Sequence, residues 1–445
     1  MNPYLPTPLP ARREMLKELG LREVEELFSD IPPSCRSGPP ELPARSEEEV
    51  MRFFREILSE NMTLRCFAGG GVWPHHSPPH VRYLLGLPGF RTSYTPYQPE
   101  INQGLLQAIF EYQSLMAELL GLEVVNASMY DWATALGEAA LMCSRLTGRK
   151  RFLVPQWMGP ERYSVLLNYA KGPAIEVVKI PHHRETGCLD LGQLEQELKG
   201  EEAGVYLENP SYLGVLETQV EEIAEMVHRH GALFVVGVNP ISLGLLRAPG
   251  DYGADIVVGE GQPLGLPMAF GGFSLGIFAC RKELVRQMPG RLVGLTKTLE
   301  GGRAFCLVLQ TREQHIRRER ATSNICTNET LCAIGAAIYL ASLGAAGLRK
   351  VAERCVLNAR YLMGELRKIG FPPLFEAPHF NEFAVRCPVP AEELNRRLLR
   401  FGVLGGKPLR RHFPELGDSA LVCATELHSK EDLDGFVRAL KECAA

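Results

Sequence analysis

The stretch Asp255–Cys280 has the composition of a site-building loop between two buried strands. It opens with the apolar run Ile256–Val258 and closes with the β-rich run Phe273–Cys280, and five glycines and two prolines lie between these runs. Strands that end in a Gly- and Pro-rich loop commonly position catalytic or binding side chains. The loop offers an amide at Gln262 but contains no basic residue, so it carries no amine for covalent catalysis.

A second candidate is a stiff polar loop that precedes a predicted helix. Within Ser93–Gly104, Pro96 and Pro99 fix an extended turn. Its polar and amphipathic side chains are those of Tyr94, Tyr97, Gln98 and Glu100. A rigid loop of this kind suits the aiming of side chains into a cleft. The alternative, which composition alone favours, is a packed turn whose tyrosines cover the core.

A third candidate is the segment Asn126–Ala140, in which a short polar loop enters a helix of small residues. Free backbone N–H groups at such a helix start can hold an anion. The alternative is an ordinary capped helix with Asp131 or Thr134 as the N-cap. The loop alone does not decide between these two interpretations.

Thr311–Asn328 holds a dense basic cluster whose members are Arg312, His315, Arg317, Arg318 and Arg320. Most clusters of this kind are solvated helix faces with local ion pairs, here to Glu313 and Glu319. A docking or phosphate-binding role is the alternative.

Metal-ligand spacing is absent from the histidine pairs His75–His76 and His182–His183, because neighbours in sequence point to different sides. We therefore predict no metal site. The twelve cysteines form no C-x-x-C pair, and most lie in apolar runs. Buried, reduced thiols explain this pattern better than disulfides or zinc.

Length and charge exclude several classes of protein. The chain has 445 residues, of which 45% are hydrophobic and 22% charged, and this length predicts two or three domains. A net charge of −4 indicates neither a nucleic-acid partner nor an anionic membrane surface. We expect no apolar run near the roughly 18 residues that span a bilayer, and no signal peptide. The sequence therefore predicts a cytoplasmic protein.

Predicted strands and helices alternate through the middle of the chain. The predicted strands are Arg151–Val154, Ile175–Ile180, Gly204–Glu208, Ala232–Val238 and Asp255–Val258, with Phe273–Cys280 as a further strand that can run antiparallel. This alternation predicts an α/β fold with a mostly parallel sheet between helices. We place a helical arm at residues 1–64, which includes a predicted helix over Leu21–Ser29, a large α/β domain at 65–340 and a small α+β domain at 341–445. The last junction falls within a long helix. In the large domain, helices are predicted over Glu100–Leu120 and Thr134–Thr147, and they end at Gly121 and Gly148.

Several long motifs then occur in one order across most of the chain. They read S-Y-T-P-Y-Q-P-E, N-A-S-M-Y-D, G-E-G-Q-P-L-G-L-P-M, M-P-G-R-L-V-G, L-Q-T-R-E-Q-H-I-R-R-E and A-T-S-N-I-C-T-N. In these motifs the chain resembles the P-protein of the glycine cleavage system, in particular the alpha subunit of its two-subunit bacterial form. The resemblance implies the type I fold of enzymes that depend on pyridoxal phosphate (PLP). It also implies an α2β2 heterotetramer whose beta subunit carries the PLP lysine, and two further partners, glycine and lipoylated H-protein.

The same resemblance implies a degenerate cofactor pocket in this chain. Gln262 stands where the family has the PLP lysine, and Val236 where it has the aspartate that pairs with the ring nitrogen. Trp132 replaces a usual glycine, and Gly159 replaces a usual histidine. The implied pocket residues are Val236, Asn239, Gln262, Trp132 and Asp131, and Tyr94, Tyr97, Gln98 and Glu100 are expected at the substrate channel or subunit interface.

From this resemblance we expect the chain alone to be inactive and to bind no PLP covalently. We expect it to serve as the non-catalytic subunit of a glycine decarboxylase. A free-standing PLP enzyme would need a lysine in the 259–265 loop, which has none. The other alternative is a degenerate paralogue that acts as a scaffold without glycine decarboxylation, for which Trp132 and Gly159 are the support.

Overall fold

The computed structural model describes residues 7–38, 42–91, 93, 95–325 and 328–444. The chain divides into two compact units, Met1–Met62 and Thr63–Ala445. The predicted arm ended at residue 64, close to this division. The predicted large and small domains both lie within the second unit.

The first unit is helical. It contains α1 (Leu9–Glu18) and α2 (Glu47–Ser59), and the predicted helix over Leu21–Ser29 is a short 3-10 turn at Val24–Phe28. Helix α2 begins at Ser46, whose hydroxyl accepts a hydrogen bond from Glu49 N at 3.2 Å while the Glu49 carboxylate accepts one from Ser46 N at 2.7 Å. This reciprocal pair fixes the helix start because it satisfies two free N–H groups.

The second unit contains the remaining elements. Its helices are α3 (Pro79–Leu85), α4 (Pro88–Arg91), α5 (Gln103–Leu120), α6 (Trp132–Thr147), α7 (Pro160–Lys171), α8 (Leu191–Glu197), α9 (Val220–Arg229), α10 (Gln314–Arg317), α11 (Thr330–Lys368), α12 (Ala391–Leu398) and α13 (Lys430–Ala444). Its strands are β1 (Arg65–Cys66), β2 (Val124–Val125), β3 (Arg151–Pro155), β4 (Glu176–Ile180), β5 (Glu202–Glu208), β6 (Leu233–Val238), β7 (Ile256–Glu260), β8 (Gly276–Cys280), β9 (Leu292–Lys297), β10 (Arg303–Val308), β11 (Glu382–Arg386), β12 (Val403–Leu404), β13 (Lys407–Pro408) and β14 (Ser419–Cys423).

A seven-stranded sheet in the order β2-β8-β7-β6-β5-β3-β4 forms the centre of this unit. Strands β4, β3, β5, β6 and β7 pair in parallel, whereas β8 pairs antiparallel with β7 and β2. The prediction of a mostly parallel sheet is therefore confirmed, including an antiparallel strand within Phe273–Cys280.

Successive residues of the central strands face two different cores. On β6, Val236 and Val238 belong to one apolar cluster, while Val235 belongs to a second cluster that also holds Trp132 and Tyr206. Strand side chains alternate with a period of two, so both faces of a sheet covered by helices must be apolar. This alternation decides which residues of β6 can reach the site.

The C-terminal part of this unit is built on the long helix α11 and two small sheets. Strands β11, β14 and β13 form a three-stranded antiparallel sheet, and β1 pairs with β12 in parallel. Helix α11 is interrupted at Gly344, whose φ of 59° and ψ of −179° are not helical. Only glycine tolerates such a backbone readily, so the break falls at a residue that permits it.

Helix α11 corrects one expectation from the sequence. An 18-residue window within Thr330–Lys368 has a mean hydropathy of 1.9, so by length and composition it could cross a membrane. Half of that window is buried, and Ala333, Ala336 and Leu340 lie in the core that covers one face of the sheet. The apolarity of this helix is thus accounted for by its packing in the core.

Candidate functional site

The candidate site lies where three parallel strands end beside the start of helix α6. Polar residues stand at these ends: Glu208 closes β5, Asn239 follows β6, and Glu260 closes β7. Trp132 is the first residue of α6. Ligands of open α/β sheets bind outside the carboxyl ends of the strands, so this is the expected position of a site.

The indole of Trp132 fills the space above β6. Its side chain is buried, and Nε1 donates a hydrogen bond to the Tyr206 hydroxyl at 3.0 Å. A Cβ atom added to Gly237 would lie only 2.7 Å from Trp132 Cζ2 and 3.0 Å from Tyr206 Cε2. Position 237 therefore has room for glycine alone while these two rings are in place.

Val236, one of the predicted pocket residues, packs in the core and not beside Trp132. Its side chain lies in the apolar cluster on the opposite face of the sheet from Trp132. The neighbouring Gly237 is the β6 position that points to the Trp132 side. Because strand side chains alternate, Val236 and Gly237 face opposite sides of the sheet.

A buried ion pair between Arg162 and Glu208 lies against Trp132 and Tyr206. Arg162 Nε and Nη2 donate to the two carboxylate oxygens of Glu208 at 2.8 and 2.9 Å, and the Tyr206 hydroxyl donates to Glu208 Oε1 at 3.0 Å. The Arg162 guanidinium also lies 4.0 Å from the ring centroid of Trp132. Stacking and charge pairing thus join Trp132, Tyr206, Glu208 and Arg162 in one closed network.

The electrostatics of this network hold its charges in place. Burial alone would lower the pKa of Arg162, but the Glu208 carboxylate raises that pKa above its usual value. Burial, and then the charge of Glu208, raise the pKa of the Tyr206 hydroxyl well above its ordinary range. The guanidinium of Arg162 is therefore held in its charged form and the Tyr206 phenol in its neutral form.

Arg162 also explains the glycine at position 159. A Cβ added to Gly159 would lie 2.9 Å from Arg162 Cζ, so the guanidinium occupies the space that a larger side chain would need. The two departures from the family pattern, Trp132 and Gly159, therefore meet at a single residue. Arg162 stacks on one and excludes a side chain at the other.

The start of helix α6 is capped by carboxylates. Asp131 Oδ1 accepts a hydrogen bond from Thr134 N at 2.7 Å, and Glu260 Oε2 accepts one from Trp132 N at 3.4 Å. Burial raises the pKa of Glu260 to about 7, although the N–H groups of Leu275 and Gln262 act to lower it. The capped-helix interpretation of the sequence is the one that the structure shows, because these N–H groups already have acceptors.

The side-chain amide of Gln262 links two backbone segments by hydrogen bonds. Its side-chain Nε2 donates to Leu266 O at 2.8 Å, and its Oε1 accepts from Trp73 N at 3.2 Å. The residue is buried, so the amide has exchanged water for these two partners. Both ends of the side chain are occupied by the protein itself.

The cavity that remains is about 10 Å³, close to the volume needed by a single water molecule. Its walls include Trp132, Arg162, Asn239 and Glu382. The Asn239 side chain is buried, and its Nδ2 has no hydrogen-bond partner among the described residues. Burial raises the pKa of Glu382 to about 7. Of the predicted pocket residues, Trp132 and Asn239 line this cavity, while Asp131 and Gln262 hold its surroundings.

Most of the predicted interface residues in the loop before α5 are exposed. Tyr97, Gln98 and Glu100 are exposed, whereas Tyr94 is outside the described residues. The Tyr97 hydroxyl accepts a hydrogen bond from Arg291 Nη2 at 2.8 Å. The ring centroids of Tyr97 and His315 lie 5.5 Å apart in a T-shaped arrangement. Part of this loop is therefore fixed by its own chain.

The basic cluster divides into two kinds of residue. Arg312 is buried, and its guanidinium donates to the backbone carbonyls of Met288, Gly290 and Leu309. The expectation of a solvated face is wrong for this residue. The rest of the cluster is exposed and consists of His315, Arg317, Arg318 and Arg320. Arg320 forms an ion pair with Glu319 at 3.8 Å, and His315 Nδ1 lies 3.6 Å from the Glu313 carboxylate.

Comparisons with known proteins agree with this geometry. A family model described as "Glycine cleavage system P-protein" matches residues 2–440. "Probable glycine dehydrogenase (decarboxylating) subunit 1" of Thermococcus onnurineus (strain NA1) is 50% identical over 99% of each chain, and that of Pyrococcus abyssi (strain GE5 / Orsay) is 51% identical over 97% of each.

Solved structures also match this chain. The crystal structure of "glycine decarboxylase (P-protein) of the glycine cleavage system, in inhibitor-bound form" is 45% identical, with a TM-score of 0.89 over 99% of each chain. A cysteine desulfurase from Thermococcus onnurineus NA1, at 16% identity and a TM-score of 0.64 over 90% of this chain and 99% of that chain, shares the fold.

The sheet and the position of its crevice define a protein with the fold of PLP-dependent enzymes. Within that class, the chain belongs to the glycine cleavage system P-protein family.

The residues of this chain do not fit the cofactor that the fold implies. Gln262 offers no amine, and Val236, which the resemblance places at the aspartate position, offers no carboxylate. Trp132 and Arg162 leave a cavity of about 10 Å³, and two carboxylates occupy the helix start where a phosphate would bind. Sequence reasoning found Trp132 and Gln262. It missed Arg162, Glu208 and Tyr206, whose only signal is polar side chains at or near the ends of apolar runs.

Proposed function

We propose that this chain is the non-catalytic subunit 1 of a two-subunit glycine dehydrogenase (decarboxylating). In this proposal the second subunit carries PLP, and the assembly is an α2β2 heterotetramer. It removes CO2 from glycine and transfers the remaining aminomethyl group to lipoylated H-protein. The observation that carries the proposal is a family match over residues 2–440 in a chain whose own pocket is filled by Trp132 and Arg162.

Apolar surface on the first unit supports a partner subunit. Val50, Phe53, Phe54 and Ile57 of helix α2 follow i, i+3, i+4, i+7 spacing, and all four side chains are exposed. No residue of α2 is buried among those that the structure describes. Such a stripe covers an apolar neighbour in most proteins, and an interface with subunit 2 would supply one.

A second apolar protrusion supports the same assembly. The Phe270 side chain is fully exposed, and Phe273 nearby is half exposed. Ala269 and Phe270 have φ values of 43° and 56°, a backbone conformation that costs energy for residues other than glycine. An exposed aromatic ring on a strained loop is consistent with a segment that contacts another chain.

We further propose that Tyr94, Tyr97, Gln98 and Glu100 belong to the subunit interface or the substrate channel. The exposure of the last three supports this role. Hydrogen bonding of Tyr97 to Arg291 would hold its ring in one orientation toward the partner.

The test is co-expression of this chain with a candidate subunit 2, followed by gel filtration and a glycine–bicarbonate exchange assay. We expect exchange from the co-purified complex and none from this chain alone. In the same preparation, PLP and borohydride treatment should label a lysine of subunit 2 and no lysine of this chain. Failure of the two chains to associate, or exchange by this chain alone, would contradict the proposal. The scaffold alternative predicts a complex without exchange.

A further inference from the structure

A buried cluster of metal-ligand side chains lies outside the pocket. His75 lies in the segment after β1, Cys355 lies on α11, and Glu426 lies in the turn between β14 and α13. One potential ligand atom from each residue lies within 4.8 Å of the other two. The three residues are far apart in sequence, so no spacing motif signals the cluster. The function proposed above does not use it.

The carboxylate of Glu426 is held in a fixed orientation. Its Oε1 accepts a hydrogen bond from His76 N at 2.8 Å, which leaves Oε2 directed at the two other side chains. The distances from Oε2 are 2.7 Å to His75 Nδ1 and 3.4 Å to Cys355 Sγ. A backbone donor that orients a carboxylate in this way is typical of the supporting shell of a metal site.

The cluster is also closed to solvent. His75 is 6% exposed and Cys355 is fully buried, while the Glu426 side chain is 11% exposed. His75 Nε2 is buried and has no hydrogen-bond partner among the described residues. Nδ1 is the ring nitrogen that faces Glu426, so it is the atom available for coordination, and Nε2 would stay outside the coordination sphere. The observation that points to a metal ion is therefore the convergence of an imidazole, a thiol and a carboxylate at one buried position.

We propose that His75, Cys355 and Glu426 bind one divalent ion of the zinc class. Thiolate, imidazole and carboxylate are the donors that zinc prefers, at bond lengths of about 2.0–2.3 Å. Tetrahedral ligands at these lengths are roughly 3.3–3.8 Å apart. The Cys355–Glu426 distance of 3.4 Å already matches this spacing, and the His75–Glu426 distance of 2.7 Å must widen by about 0.6 Å. Water or a neighbouring oxygen completes the coordination.

The ion would act as a staple among three segments. It would join the chain before α3 to the long helix α11 and to the turn after β14. His75 lies two residues beyond Trp73, whose N–H donates to Gln262 and whose ring lies 6.4 Å from Trp132. The staple would therefore also fix the segment that covers the filled pocket.

The experiment uses the full-length chain with Cys35→Ser, because Cys35 is an exposed thiol that could bind metal adventitiously. After removal of metal by a chelator, the protein is titrated with Zn²⁺ and separately with Co²⁺. We expect one equivalent of each, a thiolate-to-cobalt charge-transfer band in the near ultraviolet, and a rise in melting temperature with Zn²⁺. Cys355→Ser should abolish the band and weaken Zn²⁺ binding by about 100-fold or more.

The matched control is Cys143→Ser, which changes another fully buried thiol that packs among apolar side chains. It should leave the stoichiometry and the cobalt band unchanged. Absence of Zn²⁺ binding by the parent protein would overturn the proposal, as would an unchanged cobalt band in Cys355→Ser. Should that variant fail to fold, Glu426→Gln serves instead, because its amide oxygen can still accept from His76 N while the ligand charge is lost. Undiminished Zn²⁺ binding by Glu426→Gln would equally overturn it.

Discussion

Trp132 contacts polar partners at the face of its indole and at its ring N–H. Arg162 stacks on the indole, Tyr206 accepts its N–H, and Glu208 binds both of those residues. The side chain therefore supplies packing volume and one directional contact, and these two contributions can be separated by substitution.

Trp132→Phe and Trp132→Ala separate them. The phenylalanine variant keeps a ring beneath Arg162 but loses the hydrogen bond to Tyr206, so we expect it to lower the free energy of unfolding by about 1 kcal/mol. The alanine variant also opens a cavity and should cost about 3–5 kcal/mol. Urea unfolding of the isolated chain measures both values. Equal losses in the two variants would show that the ring itself contributes little.

Glu382 gives the site a dependence on pH. Burial raises its pKa to about 7 in the folded chain, from 4.5, so the folded state holds a proton that the unfolded state releases first. The stabilisation is complete below the unfolded pKa and is lost as pH rises through about 7. Its contribution falls by up to about 1.4 kcal/mol per pH unit within that window.

We therefore expect Glu382→Gln to flatten the pH dependence of unfolding between about pH 5 and pH 8. The amide can still accept the hydrogen bond from Gly70 N, which Glu382 Oε1 accepts at 2.6 Å. Relative to the parent chain, the variant should gain stability as pH rises. Parallel stability curves for the two proteins across this range would contradict the assignment.

At the scale of elements, helix α2 offers the sharpest test of assembly. Phe53→Asp places a charge within its exposed apolar stripe, and we expect it to weaken association with subunit 2 by at least tenfold, about 1.4 kcal/mol. Gel filtration of the co-expressed chains measures this effect, and circular dichroism checks the fold. Arg55→Asp introduces the same residue on the same helix outside the stripe, and it should leave association nearly unchanged. An equal loss in both variants would indicate a general effect of charge.

Elements were predictable where a single physical rule dominates. Buried apolar runs gave the central strands, and Gly121 and Gly148, both with positive φ, end α5 and α6 where the sequence placed their ends. The assignment of Val236 was not secure, because a run that is apolar on both faces carries no signal of which residue points where. The turn at Val24–Phe28 failed as a helix for a related reason, since a short segment with no buried residue lacks the packing that stabilises most helices.

Individual residues of the site were predictable from the sequence, but most of the contacts between them were not. A loop without lysine is visible in the sequence, whereas the contacts of Arg162 with Trp132, Glu208 and Gly159 join segments that are distant in the chain. His75, Cys355 and Glu426 illustrate the same limit. Long-range proximity depends on topology, and a single sequence records topology only through local pattern.

For the assembled molecule, Tyr97 tests whether this chain contributes to turnover. We expect Tyr97→Phe in the co-expressed complex to reduce glycine–bicarbonate exchange about tenfold, which corresponds to about 1.4 kcal/mol in the transition state. The control is Tyr83→Phe, another exposed tyrosine of the same unit. Unchanged exchange with a lowered melting temperature would assign the Tyr97 hydroxyl to its contact with Arg291 alone.

The fit between Gly237 and the rings of Trp132 and Tyr206 restricts which substitutions the pocket tolerates. A carboxylate at 237 clashes while Trp132 is present, and removal of Trp132 alone leaves a cavity and an unstacked Arg162. Gln262→Lys would bury an amine against Trp73 N, which is itself a donor. Each of these single substitutions is therefore expected to lower the folding stability of the chain. The packing around Trp132 thus opposes any one-residue change that would open the filled pocket.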